Sequence, residues 1–232
     1  MKLNIPTISE KGWFVEFGKG KKRKGSPEHL FCGPHDIDGA RCPNCEKNLL
    51  RFLTLDLTDR RFSGYGINVP VVHLLNCWTC NLAQNPFIYQ VLRTGGIKII
   101  KYGRGGQVTD FPYGDYPEYF PAIPPKFRQV NPRAQKALTK VNADYSMDYE
   151  FTLPQNLQDL LVPMHQIGGE PYLVQKELRN LSCPACSKPL VFFANLGDKA
   201  GDPRGFVDND YVQMIFLVCK DCAILASYQQ CD

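Results

Sequence analysis

Hydrophobic positions along this chain gather into short runs rather than long periodic stretches. Residues 49–57, 69–75, 87–92, 190–196, 211–218 and 223–228 are rich in Phe, Val, Ile, Leu and Tyr and are bounded by Gly, Asp or Asn. Runs of that length and composition predict strands rather than helices. Two stretches depart from the pattern. Asn131-Pro132 supplies a cap and a first helical residue for a helix reaching about Val141, and residues 154–161 offer a second short helix. Between them and the first runs lie residues 103–132, with prolines at 112, 117, 121, 124, 125 and 132. Each proline removes a backbone donor and fixes φ, which excludes regular helix and central strand there. Tyr113, Tyr116, Tyr119, Phe120 and Phe127 interleave with these prolines. A solvated linker would not carry so many aromatics, so this segment is expected to pack along the surface and bridge the two halves.

The runs come twice in the same order, and cysteines mark the repeat. Cys42-Pro-Asn-Cys45-Glu-Lys-Asn-Leu49 reappears as Cys183-Pro-Ala-Cys186-Ser-Lys-Pro-Leu190. Each copy continues with an apolar run, a loop rich in Gly, Asp and Arg (59–68 or 198–210) and a second apolar run. Each closes on another pair, Cys77-Trp-Thr-Cys80 or Cys219-Lys-Asp-Cys222, and one further strand-like segment follows. The two Cys pairs of a copy are separated by 31 residues in the first and 32 in the second. Agreement of motif, spacing and order predicts an internal duplication. The fold class expected is mainly β, a β-rich α+β chain built from two zinc-ribbon-like β units with a few short helices. Residues 1–102 form the N-terminal repeat, 103–162 the connecting segment and 163–232 the C-terminal repeat.

Four Cys-x-x-Cys pairs predict two metal sites, one from Cys42, Cys45, Cys77 and Cys80, the other from Cys183, Cys186, Cys219 and Cys222. Two cysteines separated by two residues can place both sulfurs on one ion through a tight turn, and a second such turn completes a tetrahedral shell. Pro43 and Pro184 preset the φ of that turn. Two structural Zn2+ ions are therefore expected. Iron would fit the same cage, and zinc is its commoner occupant. A redox dithiol is disfavoured, because such a motif is usually single and lies between a strand and a helix. Four thiolates close each shell, whereas a catalytic zinc keeps a position for water, so the ions are assigned to the scaffold. Lys47 and Lys188 follow their knuckles and could offset thiolate charge. Cys32 and Cys231 are left over. Cys32 in Phe31-Cys-Gly-Pro-His35 could form a third site with His35, but both cysteines read better as small apolar residues.

Composition alters this picture little. The chain has 232 residues, 44% hydrophobic and 12% aromatic, enough for a real core and too apolar for disorder. Its formal charge of +4 falls to zero if eight thiolates hold two divalent ions, which weakens any case for a broad grip on nucleic acid. The basic run Lys19, Lys21, Lys22, Arg23 and Lys24 sits among glycines and reads first as a solvated loop, second as a docking site for an acidic partner. Residues 1–10 lack the apolar core of a signal peptide, and no apolar run approaches the ~20 residues that span a bilayer. With cysteines paired for metal, a cytoplasmic protein with no membrane contact is expected.

Ahead of the second knuckle stands His165-Gln-Ile-Gly168-Gly169-Glu-Pro171-Tyr-Leu-Val-Gln175. Adjacent glycines permit backbone angles and close approaches that other residues forbid. Together with the following Cys-x-x-Cys and the strand at 189–196, this segment resembles the bacterial YwqG-like proteins and their eukaryotic relatives, the programmed-cell-death-two family. The resemblance spans residues 163–228 and is weaker over 42–92, where no Gly-Gly-x-Pro turn is found. It implies a duplicated β-rich fold, no established catalysis, and roles in escorting a newly made ribosomal protein or in toxin–immunity settings.

The function expected is a zinc-stabilised protein-binding module, either a chaperone-like escort or a toxin-immunity-type protein, whose partner is another protein. The alternative is a zinc-ribbon nucleic-acid binder that uses Lys19–Lys24 for charge and Trp78 for stacking. An enzyme is not expected. His73 alternates onto one face of a strand, and His165 beside Gly168 with Asp208, Asn209 and Asp210 is the better catalytic candidate, yet no acid, base and nucleophile share a defined spacing.

Overall fold

In a computed structural model the described residues are 6–17, 28–77, 86–102, 118–143, 165–175, 178–197 and 213–230. In chain order they form β1 (Trp13–Phe17), β2 (Leu30–Phe31), β3 (Leu50–Asp56), β4 (Val71–Asn76), β5 (Phe87–Val91), β6 (Ile97–Lys101), β7 (Pro125–Gln129), α1 (Pro132–Ala143), β8 (Gln166–Ile167), β9 (Val191–Gly197), β10 (Gln213–Cys219) and β11 (Ile224–Gln230). The molecule is β-rich, as the short apolar runs predict. Each of those runs supplies most of a strand.

The strands make two antiparallel sheets. One has the order β6-β5-β11-β10-β9-β8-β1-β7, and the other the order β2-β3-β4. A single apolar core lies between them. Phe52, Leu53, Leu55, Val72 and Leu74 of the small sheet are buried with Phe193, Leu196, Met214, Phe216 and Leu225 of the large one. The Phe52 and Phe216 rings meet across it at 6.1 Å. Residues of β10 and β11 are buried on both faces. Their second face carries Ile215, Leu217, Ile224, Ala226 and Tyr228, packed under Leu173, Leu178 and Leu181. Sheets buried on both sides read as unbroken apolar runs, which is how 211–218 reads in the sequence.

The segment after the first closing pair is a strand, as expected, and its partner lies in the other half of the chain. It forms β5, but β5 pairs with β11 instead of β4, from Ser227↔Phe87 to Ile224↔Gln90. Strands from residues 1–102 thus complete the sheet of residues 163–232. The uncovered edge of β4 is satisfied by side chains. Leu75 N–H donates to the Tyr89 hydroxyl at 2.9 Å, and that hydroxyl donates to the His73 carbonyl at 2.7 Å. Ser227 Oγ donates to the Leu75 carbonyl at 3.1 Å. Buried backbone groups need such partners, and here two side chains replace a strand.

The helix over 132–141 forms as predicted and runs to Ala143. Asn131 Oδ1 accepts the Ala134 N–H at 2.7 Å, the usual N-cap bond. Ala134 and Leu138 bury against Phe14 and Val130. The helix expected at 154–161 lies outside the described residues. Of the proline–aromatic segment, residues 118–124 are described and run extended into β7. Pro125 opens β7, which pairs with β1 at the rim of the sheet, where a missing N–H is tolerated.

Candidate metal centres

Each Cys-x-x-Cys opens its unit as the same turn. Cys42 N–H donates to the Lys47 carbonyl at 2.9 Å and Glu46 N–H to the Cys42 carbonyl at 2.8 Å. The second unit repeats both, with Cys183 to Lys188 and Ser187 to Cys183 at 2.8 Å each. Isolated bridges Arg41↔Asn48 and Ser182↔Pro189 close the two loops. The residue after each second cysteine, Glu46 or Ser187, adopts a left-handed φ of 59° or 61°.

From each turn rises a hairpin with one register. Leu50↔Asn76, Arg51↔Leu75 and Leu53↔Leu74 skip Phe52. Val191↔Val218, Phe192↔Leu217 and Ala194↔Phe216 skip Phe193. The bulge therefore falls at the same place in both. The skipped carbonyls also accept equivalent bonds, Cys32 N–H to Phe52 at 2.9 Å and Gly168 N–H to Phe193 at 2.8 Å. The hairpins bring Cys77 beside Cys42 and Cys45, and Cys219 and Cys222 beside Cys183 and Cys186.

Cys183, Cys186, Cys219 and Cys222 hold their sulfurs within 4.8 Å of one another, and so do Cys42, Cys45 and Cys77. Cys80 lies outside the described residues. The Cys45–Cys77 and Cys186–Cys219 sulfurs are both 3.6 Å apart. A disulfide would need ~2.05 Å, whereas the edge of a tetrahedron with ~2.3 Å bonds to a central ion is about 3.8 Å. Soft sulfur donors at that spacing could hold a metal ion in each cluster.

The electrostatics point the same way. Cys42 is drawn down to about 5 by its bond with Cys77, helped by the backbone N–H groups of Cys45 and Asn44. In the second cluster the Lys188 N–H lowers Cys186, burial raises Cys219, and Cys222 is pushed up to about 12 chiefly by the Cys186 sulfur beside it. Crowded thiols cannot all ionise by themselves, and a divalent cation is what permits it. Gln90 Nε2 donates to the Cys222 carbonyl at 3.0 Å, so β5 of the first half supports the second cluster's closing turn. Lys188 Nζ bonds Asp221 Oδ2 at 2.6 Å and bridges the two turns of that cluster.

The Gly168–Gly169 turn has a counterpart that the sequence comparison missed. Cys32 and Gly33 have φ of 54° and 93°, against 61° and 64° for Gly168 and Gly169. Leu30↔Thr54 and Phe31↔Leu53 match Gln166↔Asn195 and Ile167↔Ala194. His29 thereby stands where His165 stands. The signal was present as His29-x-x-x-Gly33 and His165-x-x-x-Gly169, but the two lie at different distances from their knuckles. Cys32 is buried in this turn, its Sγ 3.7 Å from the Phe52 carbonyl, and burial pushes its thiol well above the usual range. Among the described residues neither Cys32 nor His35 joins a metal-sized cluster.

Other candidates are placed as follows. His73 is half-buried on β4, its Nδ1 2.9 Å from Thr54 Oγ1. The His165 ring lies between those of Phe17 and Phe31, 5.4 and 4.9 Å away. Lys19–Lys24, Trp78, Cys231, Asp208, Asn209 and Asp210 lie outside the described residues. A cleft of about 550 Å³ flanks the first knuckle, lined by Pro34, His35, Arg41, Lys47, Glu118 and Tyr119 among others. Among the described residues no helix is long and apolar enough to cross a membrane. Comparison of the chain with protein-family models, with curated proteins and with solved structures returns no match.

Proposed function

We propose that the chain is a zinc-stabilised protein-binding module in which two copies of one ribbon unit each close on a structural ion. The carrying observation is the shared register: the opening knuckles make the same turn bonds, the hairpins carry their bulge at the same place, and the described cysteines of each unit gather into sulfur clusters of metal dimensions. Cys80 is assigned as the fourth ligand of the first site from its place in the closing pair. Zinc suits four thiolates and leaves no open position, which assigns it to folding rather than to chemistry.

Two of the four histidines serve the scaffold. His29 and His35 each have both ring nitrogens committed to hydrogen bonds within the scaffold. The resemblance to the YwqG-like and programmed-cell-death-two proteins supports the same reading, as an escort or an immunity-type partner. Metal analysis of the purified chain is expected to give two zinc ions per molecule. Affinity capture from the native host is expected to recover a protein at near-stoichiometric yield. Recovery of nucleic acid instead, with a low-salt gel shift lost on neutralising Lys19–Lys24, would replace this reading with the nucleic-acid one.

A further inference from the structure

Three of the chain's four histidines surround the three-stranded sheet, and each fastens one segment to another. His29 precedes β2. Its Nδ1 accepts the Asp56 N–H at 3.1 Å, and its Nε2 bonds Asp59 Oδ2 at 3.0 Å. His35 follows the Cys32–Gly33 turn. Its Nδ1 accepts the Ile37 N–H at 3.3 Å, and its Nε2 donates to the Leu49 carbonyl at 2.6 Å. His73 on β4 meets Thr54 Oγ1 at 2.9 Å and hydrogen-bonds the backbone of Gly95 in the β5–β6 turn. A backbone amide only donates, so at His29 and His35 the Nδ1 must carry a lone pair and Nε2 the proton.

We propose that these rings form an acid-operated latch on the first unit: protonating His29 and His35 detaches the segments they fasten, while the β9–β11 region stays closed. An imidazolium carries N–H on both nitrogens. At His29 and His35 the new Nδ1–H would face an amide donor that cannot reverse, so an attraction becomes a repulsion. His73 differs, because the Thr54 hydroxyl can rotate to accept. What opposes its charge is burial first, then Arg51 on β3 and His35. Strands β9, β10 and β11 contain no histidine.

The surrounding charges are mixed. Arg51 opposes a cation at His35 and Asp36 favours one, with Arg41, Glu46, Lys47 and Glu118 lining the neighbouring cleft. At His29, Asp59 and Asp56 favour the cation, Arg61 opposes it, and the Phe62 and Phe127 rings pack 5.6 and 4.8 Å away. Burial prevails at both, holding them below the ordinary histidine value, and it brings His73 to about 4. The folded chain thus binds fewer protons than the unfolded one. Stability from these rings is complete above the ordinary value of about 6.5 and is lost as pH falls below it.

The test is amide exchange on the full zinc-loaded chain between pH 7.5 and 5, corrected for intrinsic rates. Asp56 and Ile37 amides are expected to lose protection by ~tenfold or more below pH 6.5, which corresponds to about 1.4 kcal/mol of local opening. Amides of β10 and β11 should hold, with zinc content unchanged. The double variant His29→Asn/His35→Asn, whose carboxamide oxygen can still accept an amide proton but does not titrate, should keep its protection. Loss at the same pH in that variant, retention in the wild type, or earlier zinc release would each overturn the latch. Should the variant fail to fold, ring NMR of the wild type decides. Protection must fall as pH drops from about 6.5 toward the lower pH at which the His29 and His35 rings titrate, and titration without that loss refutes the proposal.

Discussion

The two knuckle–hairpin units share a backbone and differ in everything that surrounds it. In the first, the carbonyls of Cys32 and Pro34 are bonded by Arg51, from Nε at 3.0 Å and Nη2 at 2.7 Å. In the second, the equivalent carbonyls of Gly168 and Glu170 are both bonded by Gln166 Nε2, at 2.8 and 2.9 Å. The turn in the second unit is covered by the segment that precedes β1, with Gly169 N–H bonded to the Ser9 carbonyl. The turn in the first is covered by the connecting segment, with Gly33 N–H bonded to the Phe120 carbonyl. The second hairpin lies inside an eight-stranded sheet, and the first lies at the end of a three-stranded one. Unpaired turn carbonyls and strand edges must be satisfied in both, but any donor within reach will serve. Backbone geometry is the constraint, and side-chain identity is free to vary around it.

That contrast predicts unequal consequences for equivalent cysteines, and this is the largest effect expected. Cys219 ends β10, which is paired on both sides. Cys219→Ser should release the second ion and, with it, the cooperative fold, since structural zinc in small domains contributes on the order of 10 kcal/mol. Cys42→Ser removes a ligand from a hairpin paired with one short strand. It should lose one ion per chain, retain the other, and keep much of its near-UV signal. Zinc content and circular dichroism of the two variants check this. Equal loss in both would mean that the ions support one unit rather than two.

The glycine turns offer a sharper exchange. A Cβ at Gly168 would sit 2.8 Å from both the Lys11 carbonyl and the Tyr65 hydroxyl, at a φ of +61°. Gly168→Cys should therefore cost about 2–4 kcal/mol, combining left-handed strain with overpacking. Cys32 already occupies the matching conformation. Cys32→Gly gives up a buried side chain but removes the strain, so its net change should stay within about 1 kcal/mol. Urea unfolding midpoints of the two single variants measure the difference. A tolerated Gly168→Cys would show that the covering segment ahead of β1 yields more readily than its backbone contacts indicate.

How much of this was legible in the chain follows from the same turns. The cysteine spacing located both sulfur clusters, and the short apolar runs located the strands around them. The matching turn at Cys32–Gly33 was not legible because a left-handed φ favours glycine without requiring it, and Cys32 carries no mark of its conformation. It also sits nearer its knuckle than Gly168 does, so aligning on cysteines put the two out of step. The pairing of β5 with β11 was not legible either. Periodicity reports which face of a strand is buried and says nothing about which distant strand lies beside it. Tyr89 reads as one more aromatic in an apolar run, although its hydroxyl replaces a strand on the edge of β4.

Tyr89→Phe tests that replacement. The substitution keeps the ring and leaves Leu75 N–H without its acceptor and the His73 carbonyl without this donor, at a fully buried position. An orphaned buried group costs about 1–3 kcal/mol, which sets the expected loss. The loss should appear as faster exchange of β4 amides with β10 unaffected. Uniform acceleration across both sheets would mean that the hydroxyl supports the common core rather than the first unit's edge.

The smallest effect should come from Lys188 and Asp221. Their bond spans the two turns of the second cluster and is short, yet both side chains are largely exposed, at 66% and 48%. Exposed ion pairs gain little over water and are screened by salt. The first unit also has Thr79 where the second has Asp221, although Lys47 matches Lys188. A pair that only one copy can form is not part of the device they share. Lys188→Ala should leave the unfolding midpoint unchanged and alter at most the rate at which a chelator removes the second ion, by an amount that disappears in high salt. If the midpoint moved by several degrees, or if the chelation rate changed as much at high salt as at low, the lysine would be acting on the thiolates themselves. The two clusters would then differ in electrostatics as well as in surroundings.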